Sequence, residues 1–255
     1  MKGLALSVIG TDTDVGKTFV TGLLGALAVA DGFDVGMVKP VSSSAVPFPE
    51  CISTDEDNLA IHLESKDATY LMRAVGIPES RRHEVNPYAL AGDYSPRLAA
   101  ELAEVDIDYD EVVRHIEHVV PKYDITFIEG AGGITTPLIG DYTFSDLMKD
   151  IAYPALVVAD GRLGSINRAV LTCAYAKQHN IDVKGIIVND TTLVDPFLLK
   201  TNIADMERYT GVPVLGVLPP YKGPDQQKVL LGWGRSFLDT ERIWTAILGD
   251  NLKEQ

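Results

Sequence analysis

Short, unbroken apolar runs recur along the chain at Leu4 to Gly10, Asp34 to Lys39, Asp124 to Glu129, Pro154 to Asp160, Val183 to Asn189 and Val214 to Leu218. Runs of this kind suit strands buried on both faces, as in a parallel sheet. Between them lie longer stretches with helical spacing. These predict helices over Thr18 to about Ala30, Ser53 to Leu63, Thr69 to Val75, from Ser95-Pro96 with Leu98, Ala99, Leu102 and Ala103 inward, Asp108 to Val120, and Thr143 to Ile151. Three more are predicted: one after Asn167 ending near His179, one over Pro196 to about Tyr209, and a last one over Ser236 to Leu248. Strands alternating with helices predict an α/β fold: a doubly wound, mainly parallel sheet with helices on both faces. Irregular structure is expected where turn formers gather. Pro40 stops the second strand and Val41 to Ser44 begin a loop, residues 45 to 53 carry Pro47 and Pro49, Glu79 to Glu84 follow Pro78, and Gly223-Pro224 and Gly232 to Gly234 interrupt the tail.

The first strand runs into Gly10-Thr11-Asp12-Thr13-Asp14-Val15-Gly16-Lys17-Thr18, which opens an apolar helix. A strand, a turn and Gly-Lys-Thr at a helix start form a phosphate-binding loop. Unpaired backbone N–H groups and the helix dipole favour an anion there. Lys17 would reach the outer phosphates and Thr18 would ligate Mg²⁺. The strict motif needs glycine at position 11, where Thr11 stands; Gly10 lies one place earlier.

Other strand ends carry chemistry on the same side, since ligands in open parallel sheets bind beyond the carboxyl ends of the strands. Lys39 closes the second strand. Glu129 closes the third and is followed by Gly130-Ala131-Gly132-Gly133, a metal-binding acid beside glycines that admit a ligand to the backbone. The hydroxyl and acidic residues Ser53 to Asp57 suit a helix start. His62, His83, His115, His118 and His179 lack ligand spacing, and His115 and His118 are expected at the surface.

Length and charge narrow the picture. A chain of 255 residues fits one α/β domain over 1–255, with 221–255 as a tail and helix of undefined role. A composition 46% hydrophobic but 7% aromatic suits an aliphatic core around a sheet. Acids outnumber Lys and Arg by 36 to 22, a formal charge of −14, which argues against nucleic acid as a partner. Asp12 and Asp14 interrupt the N-terminal apolar run, and no run approaches the ~18 residues of a membrane helix, so a cytoplasmic protein without a membrane partner is expected. Cys51 and Cys173 are expected as free thiols.

The loop Gly10 to Thr18, Lys39-Pro40-Val41, Asn86-Pro87-Tyr88 with Ser95-Pro96, Glu129 to Gly133 with Pro137-Leu138, and Asn189-Asp190 together resemble the dethiobiotin synthetase family, in order and spacing up to Pro219. The resemblance implies an ATP- and Mg²⁺-dependent ring closure that makes dethiobiotin from 7,8-diaminononanoate and CO₂, through a carbamate and a carbamic-phosphoric anhydride, with ADP and phosphate released. It implies catalytic roles for Lys17 and Lys39 on the carbamate and the transferring phosphate. It implies nucleotide contacts at Asp14, Val15, Gly16, Lys17, Thr18, Phe19, Asp57, Glu129, Gly130, Ala131, Gly132, Asn189, Asp190 and Pro219, with Thr18, Asp57 and Glu129 as Mg²⁺ contacts; Asp55 is the alternative to Asp57. Diamine contacts would be Thr13, Lys39 and Ser43. The substrate carboxylate would sit at a partner subunit's helix start, at Leu163, Gly164, Ser165 and Asn167, which implies a homodimer. The chain departs from the pattern at Ser44, where the family has glycine, and at Arg97, where histidine is common.

Two rivals share parts of the pattern. An amidoligase similar to the cobyrinic acid diamide synthases would carry a further glutaminase domain, for which 255 residues leave no room. A partition-type ATPase switch would need a lysine early in the loop, where Asp12 and Thr13 stand.

Overall fold

A computed structural model of the chain describes residues 3–47, 63–224 and 226–249. In chain order the elements are β1 (Leu4–Gly10), α1 (Lys17–Ala30), β2 (Val35–Val38), β3 (Val41–Pro47), β4 (Leu63–Glu64), α2 (Lys66–Val75), a 3₁₀ turn (Glu79–Arg81), α3 (Arg82–Val85), β5 (Tyr88–Ala91), α4 (Pro96–Leu102), α5 (Tyr109–Val119) and β6 (Ile125–Gly133). They continue with β7 (Pro137–Ile139), β8 (Tyr142–Thr143), α6 (Phe144–Ile151), β9 (Ala155–Ala159), α7 (Ser165–Gln178), β10 (Val183–Asn189), α8 (Pro196–Thr210), β11 (Val214–Leu218), α9 (Gln227–Phe237) and α10 (Thr240–Leu248).

The central sheet has the order β11-β10-β9-β1-β6-β2, and every pairing in it is parallel. All six of its strands are those the apolar runs predict. Successive side chains of β1 go to opposite faces: Ala5 and Ile9 join one apolar cluster, Leu6 and Val8 the other. The first cluster lies under α5, α6 and α7, the second under α1, α2 and the C-terminal helices. Strand β1 sits where the order reverses, with β9 on one side and β6 on the other, and this switch point places the β1–α1 loop in the crevice that α/β folds use for ligands.

Several local expectations are corrected. Val41 to Pro47 is a strand, not a loop: Pro40 leaves the main sheet, and the chain then pairs in parallel with β5 and antiparallel with β4. The Ser42 hydroxyl donates to Asn86 Oδ1 at 3.0 Å, so its polar group is satisfied beside this side sheet. The register shifts between Ser42 and Ala45, and Ser44 there has φ +60°, the left-handed conformation in which glycine carries no Cβ penalty. Leu63, expected at a helix end, lies in β4; the rest of that helix, with Asp55, Asp57 and His62, and Cys51 before it, fall outside the described residues. The charged segment after Pro78 is helical because its charges pair one turn apart, Arg81 with Glu84 at 2.7 Å and Arg82 with Glu79.

In α4 the buried residues are Pro96, Ala99 and Ala100; Leu102 is 62% exposed and Ala103 is also exposed, because the helix ends at Leu102. His115 is half-buried and its Nε2 lies 2.9 Å from the Glu84 carbonyl oxygen. Cys173 is a free, buried thiol, pushed up to about 11 by that burial. Among the described residues no helix is long and apolar enough to cross a membrane.

The tail holds the largest correction. Gly232 and Gly234 lie inside α9 rather than ending it. A Cβ on Gly234 would come within 2.8 Å of Leu23, so the missing side chain lets α9 lie close on α1. Asp31, which ends α1, accepts from Arg235 Nη2 at 2.5 Å and from Trp244 Nε1 at 2.8 Å. The two C-terminal helices are thus tied to the helix that follows the phosphate loop. Asp31→Ala removes the acceptor of both donors and should lower stability by about 1–2 kcal/mol; an unchanged urea midpoint would show that this tie contributes nothing.

Candidate active site

Strand β1 delivers the loop and α1 receives it. Gly16 is the residue before α1 and has φ +83°; a Cβ there would lie 2.1 Å from Asn189 Nδ2, so only glycine fits. Asn189, buried at the end of β10, donates from Nδ2 to the Val15 carbonyl oxygen at 2.9 Å and fixes the loop from the side. No side chain caps α1, which leaves the N–H groups of its first turn for a ligand. Lys17 is buried and curls back over Gly10, with Nζ 3.2 Å from the Asp12 carbonyl oxygen. Burial, and after it the charge on Lys39, push its ammonium below the usual lysine range.

Lys39 is 4% exposed at the end of β2. Its backbone is strapped on two sides: its N–H donates to Val85 O at 2.7 Å, and Asn86 Nδ2 donates to its carbonyl oxygen at 2.7 Å. Asn86 thereby acts from below the site. Lys39 Nζ lies 2.6 Å from Glu129 Oε1 and 2.5 Å from Asp67 Oδ2. Burial pushes the Lys39 ammonium down, and the two carboxylates outweigh it, so the net shift is upward and the side chain stays charged. Glu129 is fully buried; its Oε1 also accepts from Thr18 Oγ1 at 2.7 Å, while Oε2 has no hydrogen-bond partner. A buried carboxylate oxygen left unpaired among two lysines and a hydroxyl is an open valence that a cation or a ligand would fill.

The structure brings together Val15, Gly16, Lys17, Thr18, Lys39, Glu129 and Asn189 of the predicted set. Thr13 and Asp14 form the exposed crest of the loop, Asp14 with φ +59°, and Phe19 follows Thr18, half-buried. Gly130 sits under the Phe144 ring, 2.3 Å from where a Cβ would stand, Ala131 is half-buried, and Gly132 has φ +64°. These three continue β6 beside the loop, where Gly133 pairs with Gly10. Asp190 turns away from the site: its carboxylate accepts from Val194 N at 3.0 Å and holds the loop after β10. Pro219 is half-buried just past β11, and Ser43 is half-buried in the shifted segment of β3.

Leu163, Gly164, Ser165 and Asn167 form a separate group after β9. Leu163 is 83% exposed, Gly164 has φ +91° and precedes α7, Ser165 Oγ is buried without a partner, and Asn167 is exposed. Their loop is held by Asp160, which accepts from Arg162 Nη2 at 2.6 Å and Arg168 Nη2 at 2.8 Å, and by Asn202 Nδ2, which donates to Gly161 O at 2.9 Å. Sequence reasoning missed this scaffold, although an aspartate at a strand end before two arginines was there to be read.

It also missed Asp67. The proposed metal contact Asp57 lies outside the described residues, whereas Asp67 stands in the site on the first turn of α2. Ser65 caps that turn and accepts from Ala68 N, an N-terminal signal three residues before an apolar helical stripe. Among the described residues no three His, Cys, Asp or Glu side chains converge as a metal cage. Mg²⁺ does not need one, since it takes one or two carboxylates and leaves its other positions to water and substrate phosphates. Thr18, Glu129 and Asp67 fit that donor set, and the unpaired Glu129 Oε2 is the observation that favours it.

The fold and this loop define a phosphate-loop nucleotide-binding protein of the α/β class. A family model described as an AAA domain matches residues 5–228. The chain is 32% identical over 236 residues to ATP-dependent dethiobiotin synthetase BioD of Bacillus thuringiensis (strain Al Hakam), covering 92% of this chain and 91% of that one. It is 33% identical over 216 residues to the protein of the same name from Bacillus cereus (strain B4264), covering 85% and 83%. The chain therefore belongs to the dethiobiotin synthetase family, and with it to the ligase class of enzymes. Solved structures with the same fold include a MinC:MinD cell division complex of Aquifex aeolicus, with a TM-score of 0.53, 13% identity and coverage of 99% and 96%. A ParA family ATPase from Chlorobium tepidum TLS follows, with a TM-score of 0.51, 14% identity and coverage of 91% and 99%. At such identities the likeness is one of fold.

If Asp67 is a metal contact, Asp67→Asn should raise the Mg²⁺ concentration needed for half-maximal activity by about tenfold or more, while Asp57→Asn leaves it in place. A metal titration giving the reverse pattern would return the role to Asp57.

Proposed function

We propose that the protein is an ATP-dependent dethiobiotin synthetase, acting on 7,8-diaminononanoate and CO₂ and releasing ADP and phosphate. The observation that carries this reading, beside family membership, is the second buried lysine. Lys39 faces the loop lysine from another strand end and is held charged by Glu129 and Asp67. A nucleotide-hydrolysing site needs cations on the phosphates. A site that phosphorylates a carbamate needs an additional cation for the attacking oxyanion, and Lys39 is placed to supply it.

The chemistry divides into steps the residues can serve. One substrate amine adds to CO₂ and loses a proton, giving a carbamate. A carbamate oxygen attacks the γ-phosphorus, the bond to the bridging oxygen breaks, and ADP leaves. The second amine then attacks the carbonyl carbon of the carbamic-phosphoric anhydride, expels phosphate and closes the cyclic urea. The N–H groups from Asp14 to Phe19 hold the polyphosphate, and Lys17 and Lys39 offset charge on the transferring group and the carbamate. Thr18, Glu129 and Asp67 would hold Mg²⁺, which when bound offsets charge on the outer phosphates. Thr13 and Ser43 border the path of the diamine.

The carboxylate end of the diamine is assigned to the start of α7 in a second copy of the chain. The exposed Leu163 and Asn167 and the left-handed Gly164 support that assignment, because they face outward from their own subunit, while the Ser165 hydroxyl lies buried and unpartnered beneath them. The assembly is accordingly a homodimer with sites at the interface. Phosphate release from Mg-ATP at fixed bicarbonate should depend on added 7,8-diaminononanoate, with a cyclic urea detected by mass. Slow release indifferent to the diamine would refute the proposed acceptor while leaving the phosphate loop intact.

A further inference from the structure

Asp160 follows the last residue of β9, and two arginines, Arg162 and Arg168, come next on either side of the start of α7. The Asp160 carboxylate is buried and takes donors from both. Its Oδ1 accepts from the Arg162 backbone N–H at 3.1 Å and from Arg168 Nη2 at 2.8 Å. Its Oδ2 accepts from Arg162 Nε at 3.1 Å, from Arg162 Nη2 at 2.6 Å and from Arg168 Nη2 at 2.8 Å. One acid thus closes a ring through the loop and the first turn of α7. Ser165 N, donating to the Arg162 carbonyl oxygen at 3.0 Å, tightens the loop inside that ring.

The ring does not serve to cap α7. The residue before the helix is Gly164, no side chain accepts from the first turn, and no acid stands in that turn. What the ring does is place charge. Arg168 Nη1 lies 3.4 Å from where a Cβ on Gly164 would stand, so the guanidinium lies against the left-handed turn, and Arg162 is exposed. Asp160 and, after it, Asp12 of the phosphate loop hold the Arg162 guanidinium charged. In the ring itself two guanidiniums face one carboxylate, which leaves one positive charge over beside the positive end of the helix dipole.

We infer that Asp160 is a positioning residue for the carboxylate end of the diamine, holding Arg162 and Arg168 so that their surplus charge stands at the uncapped start of α7. This rests on the reading that the start of α7 meets the substrate seated in a second copy of the chain. Asp160 touches no substrate itself. A guanidinium already fixed by an ion pair has less freedom to lose when an anion arrives, so the ring favours an anionic end over a neutral one.

The test compares diamine-dependent phosphate release with 7,8-diaminononanoate and with its primary amide, which keeps both amines and removes the charge, at saturating Mg-ATP and bicarbonate. Asp160→Asn should raise KM for the acid by about tenfold, with kcat for the acid and kcat/KM for the amide each within about twofold of the parent. Arg162→Gln and Arg168→Gln should show the same split to a smaller degree, and they carry the test if Asp160→Asn does not fold. Dimers mixed from Asp160→Asn and Lys39→Ala subunits should regain the parent's KM, because the site that keeps Lys39 then borrows an intact α7. Equal losses for acid and amide, or a fall in kcat at unchanged KM, would make the ring a mere brace and overturn the inference. So would an unchanged KM in all three variants, or a raised KM that persists in mixed dimers. A parent that handles acid and amide alike would refute the carboxylate assignment beneath it, and phosphate release indifferent to either diamine would refute the proposed function itself.

Discussion

The buried contact between Lys39 and Glu129 joins the ends of two strands that never meet in sequence, β2 and β6, and sets the floor of the site. Removing either charge alone would leave the other uncompensated in an environment that water does not reach. The pair is therefore also a constraint. It holds β2 in register beside β6, it lines up Glu129 Oε1 with the Thr18 hydroxyl, and it keeps the Lys39 charge within the field of Lys17. A purely structural pair would satisfy every lone pair. Here Glu129 Oε2 is left over, and a site that awaits a cation has that form.

Everything around the pair holds it in position. Asn86 and Val85 fix the Lys39 backbone from the connection leading to β5, Asn189 fixes the loop from β10, and Asp31 ties the far end of α1 to the C-terminal helices. A parallel sheet buried on both faces makes such convergence possible, because each strand ends at the same edge and each crossover returns the chain to begin the next. The dethiobiotin synthetase family builds on that edge. The MinC:MinD cell division complex and the ParA family ATPase, which share the fold, show how little the fold alone says about the chemistry done there.

How much of this was legible in the sequence follows from which interactions are local. The six central strands announce themselves because burial on both faces demands unbroken apolar runs, and the site is marked by Lys39 and Glu129 at strand ends and by Lys17 and Thr18 opening the helix after the first strand. The side sheet of β3, β4 and β5 is hidden, since its strands are short and half-polar and are held by partners distant in sequence, such as Asn86 for Ser42. Asp67 was overlooked because the family pattern pointed to Asp57, and the contact of Asp67 with Lys39 Nζ joins residues 28 apart in the chain. Gly232 and Gly234 read as helix breakers because the local cost of glycine was visible while the approach of α9 to Leu23 was not. Ser44, in contrast, departs from the family's glycine at a position that the backbone shows to be left-handed, so the family preference has a plain steric cause.

The central claim is that Lys39 acts on the group being transferred rather than on the nucleotide as bound. The most direct measurement pairs Mg-ATP affinity with single-turnover phosphate transfer in Lys39→Ala, under saturating Mg²⁺, diamine and bicarbonate. Affinity should stay within a few-fold of the parent while the transfer rate falls by about 10²–10³. A transfer rate equal to the parent's, with the substitution verified and the fold intact, would contradict the account.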